Sequence, residues 1–268
     1  MEDNVIDIRF QYNENNNKKY RYFTYCNFSL LWISYLGFIL LDDDCNFTSL
    51  VPPDNYPLFF TIFSNCNKCI DLRYQIWRLY TYSFVHFDIT HLSSNSIFLF
   101  IFSYLIETKI GTLNIFIIHF YGTITAPLCC ILFIPYKYII GSSAGVYSLF
   151  GIVFGIGILD YYNFTNNEKK FYLILIFILS IMFSTEIYYF IFNHNVKIAY
   201  YGHLSGLVYG VILTNIIIKP KKIMNYHKYS KIISYLFFII INIILIVNYI
   251  FLYSAKKNKF SNKCCYIK

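Results

Sequence analysis

Seven runs of mostly apolar residues, each near the roughly 20 needed to span a bilayer, set what this chain can become. They cover about 22–41, 88–106, 113–134, 143–159, 171–192, 200–218 and 232–253. Inside a bilayer no water satisfies backbone N–H and C=O groups, so a spanning segment of this length must be an α-helix. The expected fold class is all-α, a polytopic membrane protein. The composition agrees, with 57% hydrophobic and 13% charged residues against about 25% charged in an ordinary soluble domain.

The net charge of +8 could suggest nucleic acid, but the charges flank the apolar runs. With the N-terminus cytosolic, Arg9, Lys18, Lys19, Arg21, Lys109, Lys169, Lys170, Lys219, Lys221, Lys222, Lys228 and Lys231 fall inside. Only Lys68, Arg73, Arg78, Lys137 and Lys197 fall in outside loops, as the positive-inside rule expects. The tail after residue 253, with Lys256, Lys257, Lys259, Lys263 and Lys268, dissents, since this topology puts it outside. Early helices usually set orientation, so the topology stands. The bilayer is the expected partner, with no nucleic acid and no nucleotide. The polar start "MEDNVIDIRF" resembles neither a cleavable signal peptide nor an Arg-rich presequence. The first span then serves as the insertion signal.

Along the chain, 1–21 reads as a cytosolic tail with a low-complexity stretch, "QYNENNNKK". The first loop, about 42–87, is the one long connection, and a loop of that length is usually functional or disordered. Its second half is too aromatic for disorder, and Trp77 and Arg78 there suit a membrane interface, as an aromatic anchor and a snorkelling cation. Residues 219–231 form a basic cytosolic hinge, 232–253 a seventh span and 254–268 a C-terminal tail. Cys129 and Cys130 read as core residues, and Cys66 and Cys69 as a structural CxxC rather than half of a zinc site. Cys264 and Cys265 become lipidation candidates only if the tail lies inside. Asn46-Phe47-Thr48 is an outside glycosylation sequon and Asn163-Phe164-Thr165 an inside one.

Three runs carry polar groups near their starts. The second opens with "HFDITHLSSN" (His86, His91, Asn95), the fourth with Gly141, Ser142 and Ser143, and the sixth with "YYGHLSG" (His203). Even-numbered spans all begin on one membrane face, so these groups share a depth. Polar membrane residues are costly, about 2.5–3.5 kcal/mol when charged, and are read as functional by default. Helical phase refines the set. His91 and Asn95 share a side, with His86 before that helix, and Ser143, Tyr147 and Gly151 share a stripe with Gly155 beside it. Ser142 is turned away from Ser143 by about 100°. His203, Gly206 and Gly210 share a stripe, and small residues let helices approach closely in lipid. If these two stripes pack together, Ser143 faces His203.

An imidazole can take the proton that makes a serine hydroxyl nucleophilic. No carboxylate lies near His203 in sequence, so a Ser-His dyad is the simplest reading, with Tyr147 packed on the imidazole. His91, Asn95 and the Ser143 N–H would supply donors to an oxyanion. Packing alone explains a single membrane serine, histidine or glycine stripe, but it explains poorly all three in phase at one depth. A metal site from His86, His91 and His203 has the wrong spacing and lacks an acidic ligand. A transporter predicts polar groups near helix centres. Glu186, late in the fifth span, fits either an interfacial role or an influence on a gate.

These motifs resemble the rhomboid family of intramembrane serine proteases, over Trp77 to Gly210. The chain carries a WR pair (Trp77, Arg78), HxxxxHxxxN (His86, His91, Asn95), ExxxG (Glu107, Gly111), GxS followed by GVY (Gly141, Ser143, Gly145, Tyr147) and HxxGxxxG (His203, Gly206, Gly210). Ala144 stands where many members have glycine. The resemblance implies a six-helix rhomboid core over 22–218 plus a seventh C-terminal transmembrane helix, the secretase-type arrangement. It implies Ser143 as nucleophile, His203 as base, Tyr147 stacked on it and His91 and Asn95 as oxyanion-stabilising side chains, with Trp77, Arg78, His86, Glu107, Gly111, Gly141, Gly145, Gly206 and Gly210 as structural motif residues. It further implies cleavage of single-pass transmembrane proteins in or near their membrane helix, with no metal or other cofactor, in the secretory pathway or plasma membrane. The alternative is a non-catalytic rhomboid-like binder of transmembrane segments involved in trafficking. The Asn-, Lys-, Ile-, Phe- and Tyr-rich usage looks like that of an AT-rich genome, as in apicomplexan parasites, where the resemblance suggests shedding of surface adhesins.

Overall fold

The computed structural model describes residues 20–41, 64–65, 70–71, 75–133, 139–192 and 199–264. Asn46, the Cys66 and Cys69 pair, the 11–19 stretch and Cys265 lie outside them. Each of the seven apolar runs is a helix: α1 Tyr22–Leu41, α3 Ile89–Ile110, α4 Thr112–Phe133, α5 Ser143–Asp160, α6 Asn166–Phe192, α7 Tyr200–Ile217 and α8 Asn225–Cys264. A short helix, α2 (Arg78–Thr81), runs into a 3-10 turn over Tyr82–Phe84 before α3. A two-residue antiparallel ladder pairs Ser64–Asn65 with Ile70–Asp71.

Six of these helices are long and apolar enough to cross a membrane; α7 is the exception. It buries His203, Ser205, Thr214 and Asn215 and packs against α4, α5 and α8. A helix enclosed by other helices need not be apolar all round, which dilutes its hydropathy without removing it from the bundle.

The core forms around α5, which is buried along most of its length. Its contact with α7 is made by backbone rather than by long side chains. A Cβ on Gly151 would stand 2.3 Å from the Leu207 carbonyl oxygen, and one on Gly210 would stand 2.2 Å from that of Ser148. In lipid, where apolar surface gains nothing by association, such close approach supplies the dispersion contacts that hold two helices together.

Glu107 fixes the far end of α3. Its buried carboxylate accepts from the Phe23 and Thr24 N–H groups at 2.8 and 3.0 Å and from the Thr24 hydroxyl at 2.7 Å. These are first-turn donors of α1, which have no intrahelical partner, and negative charge is favoured at that helix end. The Thr112 hydroxyl donates to the same carboxylate at 2.7 Å. Gly111 follows at φ 86°, ending α3 and turning the chain into α4.

Two expectations change. Arg78 is not a snorkelling cation but is 3% exposed, because α2 lies against α4 and the Arg78 guanidinium meets Gln75; Trp77 does remain half exposed. The basic hinge is shorter than 219–231, since α8 already begins at Asn225. His227 makes that early start possible: its Nδ1 accepts from the Met224 N–H at 2.9 Å and its Nε2 donates to the Leu159 carbonyl at 2.8 Å.

Candidate active site

The α3, α5 and α7 N-termini meet at one end of the bundle. Asp88 caps α3, its side chain accepting from the His91 N–H at 2.7 Å and from the Thr90 hydroxyl at 2.6 Å, an N-cap pattern that fixes where the helix begins. His91 therefore sits in the first turn and Asn95 one turn further, on the same side.

The approach of α5 requires Gly141, which adopts φ 98°, a conformation that side chains rarely tolerate. Its backbone lies against the His91 ring and Asn95: a Cβ there would fall 2.7 Å from His91 Cε1 and 3.4 Å from Asn95 Nδ2. The chain thus passes close over both polar side chains before α5 starts at Ser143. Asn95 is 7% exposed, and its Nδ2 donor has no partner among the described residues. A buried amide nitrogen without a partner is costly.

The two serines take different partners. Ser142 turns toward His86, whose Nε2 accepts from the Ser142 N–H at 3.3 Å and lies 3.4 Å from its hydroxyl. Burial, followed by the neighbouring His91, pushes the His86 pKa down to about 3. Its ring is neutral and offers the lone pair that this N–H requires. Ser143 Oγ instead lies 2.8 Å from His203 Nε2. The Tyr147 ring, one turn along α5, stacks on the His203 imidazole at a centroid distance of 4.3 Å and an interplanar angle of 8°.

The other predicted residues fall at several places in the bundle. Gly206 and Gly210 bring α7 onto α5, and Gly145 faces α4, where its missing Cβ leaves room for the buried His119 ring. Glu107 and Gly111 lie at the opposite end of α3, and Trp77 and Arg78 belong to the α2 segment. Among the described residues no group of three or more His, Cys, Asp or Glu side chains is arranged to hold a metal ion.

One group that sequence reasoning left unplaced enters the centre. Glu186 Oε1 lies 2.6 Å from His203 Nδ1, the ring nitrogen opposite the one facing Ser143. The available signal was depth. Glu186 lies less than two turns before the end of α6 and His203 one turn into α7, so successive antiparallel helices bring them level.

One end of this helical bundle thus joins a serine hydroxyl, an imidazole and the Asn95 amide. The Rhomboid domain pattern matches residues 73–220, more than half of the chain, and the chain belongs to the rhomboid family. It is 25% identical to a rhomboid-like protease 3 of Toxoplasma gondii over 77% of this chain and 75% of that protein. It is 26% identical to an inactive rhomboid-related protein 2 of Caenorhabditis elegans over 64% of this chain and 50% of that one. A match to a rhomboid-related protein 2 of Mus musculus, 28% identical, covers 31% of this chain and 28% of the relative.

Proposed function

We propose that this protein is an intramembrane serine endopeptidase that cleaves single-pass membrane proteins in or near their transmembrane helix. The observation that carries the reading is the 2.8 Å contact between Ser143 Oγ and His203 Nε2, a geometry within hydrogen-bonding reach of proton transfer. Ser143 Oγ attacks the scissile carbonyl carbon while its proton passes to Nε2. The oxyanion so formed takes hydrogen bonds from Asn95 Nδ2, the His91 ring and the Ser143 N–H, which lies at the start of α5 with no side-chain cap competing for its first turn. As the C–N bond breaks, the imidazolium returns its proton to the leaving amine, and water then releases the acyl group by the same steps.

A substrate helix hides its carbonyls in its own hydrogen bonds, so it must unwind locally before Ser143 can reach one. The reading places the site near the outer face, with a cytosolic N-terminus, in the secretory pathway or plasma membrane. An inactive relative raises the alternative of a binder of transmembrane segments. The serine and imidazole in contact favour hydrolysis, because a binder has no need of that pairing. Purified protein in proteoliposomes with a panel of single-pass membrane substrates tests it: two fragments from one cut are expected, absent with Ser143→Ala. Intact substrate with wild type, or equal cutting by Ser143→Ala, contradicts it.

A further inference from the structure

The Ser143 and His203 chemistry leaves one carboxylate at the site without a role. Glu186 Oε1 stands 2.6 Å from His203 Nδ1, while Nε2 of the same ring faces Ser143 Oγ at 2.8 Å. A carboxylate only accepts hydrogen bonds, so this contact puts the ring proton on Nδ1 and leaves the Nε2 lone pair directed at the serine hydroxyl. The Tyr147 ring covers the imidazole face. The His203 and Glu186 side chains are 11% and 21% exposed, a setting in which a neighbouring charge acts more strongly than in open water.

We propose that Glu186 is a positioning residue for His203, so that this chain uses a Ser143–His203–Glu186 relay rather than a two-residue dyad. The relay rests on the protease reading given above. When Oγ bonds to the scissile carbon, its proton moves to Nε2 and the ring becomes imidazolium. The Nδ1 proton stays on nitrogen, donated to Glu186, whose charge offsets the new cation; no proton reaches the carboxylate. Glu186 thus selects the reactive tautomer, holds the ring's angle and stabilises the state formed at the transition state.

The experiment compares wild type, Glu186→Gln, His203→Ala and the double variant in proteoliposomes, measuring kcat and KM for a cleaved substrate and the rate of Ser143 labelling by a fluorophosphonate. Glu186→Gln keeps an acceptor oxygen of the same shape and loses the charge. Its kcat and labelling rate are expected to fall together by about tenfold or more, with KM within about twofold. On the His203→Ala background the same substitution is expected to change nothing further, because Glu186 acts through the imidazole. Unchanged kcat and labelling, a loss confined to KM, or an equal loss without His203 overturns the relay alone. Wild type that neither cleaves nor labels removes the protease reading and the relay with it. A low-field imidazole N–H proton resonance in wild type, absent from His203→Ala, reads the contact without any Glu186 variant; its absence overturns the proposal even if that variant does not fold.

Discussion

A Cβ added to Gly206 would fall 2.1 Å from the Ala144 carbonyl oxygen. These residues lie beside the candidate pair, Ala144 next to Ser143 and Gly206 one turn beyond His203. The close approach of α5 and α7 therefore sets the distance across which a proton would pass. No side chain can enter without parting the helices. Gly206→Ala is expected to cost about 1–3 kcal/mol of stability and to lower cleavage even in the folded fraction. Gly202→Ala is the control, since its Cβ would meet only ordinary contacts at 3.4 Å or more. Thermal unfolding and kcat of both variants in one detergent check this.

Asn95→Ala removes the buried donor that finds no partner among the described residues. An oxyanion donor acts in the transition state, so kcat is expected to fall about 100-fold or more with little change in KM. Steady-state kinetics with a reconstituted substrate give the split. A rise in KM alone would assign Asn95 to substrate binding.

Tyr147 separates stacking from hydroxyl chemistry. Tyr147→Phe keeps the ring that covers His203 and is expected to retain most of kcat. Tyr147→Ala frees the imidazole and opens a cavity. It is expected to lose activity by about two orders of magnitude, as a misplaced base does, and stability by about 3 kcal/mol.

Glu107 bears on the fold rather than on the chemistry. Replacing it with leucine strands the Phe23 and Thr24 N–H groups and is expected to destabilise the protein by about 3 kcal/mol or more. Thr24→Ala, which keeps the backbone donors and their acceptor, is expected to cost about 1 kcal/mol. Both variants are expected to keep wild-type kcat below their melting temperatures, which a thermal melt run beside a cleavage assay resolves.

The readable part of this molecule is the part governed by period and length. Twenty-residue apolar runs allow little but helices in a bilayer, and phase along α5 separates Ser143 from Ser142, because successive residues turn by about 100°. The structure duly gives the two hydroxyls different imidazoles. What escaped was lateral. Glu186 and His203 are 17 residues apart in different helices, and which α6 face turns inward is not fixed by a segment apolar nearly all round. Arg78 escapes sequence reasoning for a related reason. A cation near a membrane boundary ordinarily snorkels, and only the packing of α2 on α4 shows that it is enclosed. The early start of α8 depends on His227 reaching Leu159, a contact between distant segments.

The proposed nucleophile is Ser143, activated by His203. The most direct measurement is labelling of the reconstituted full chain with a fluorophosphonate, with the modified residue located by peptide mass spectrometry. One adduct on Ser143 is predicted, abolished by Ser143→Ala, strongly slowed by His203→Ala and retained by Ser142→Ala, whose hydroxyl faces His86 instead. No adduct on wild type, or one that persists unchanged in Ser143→Ala, would show that Ser143 is not a nucleophile.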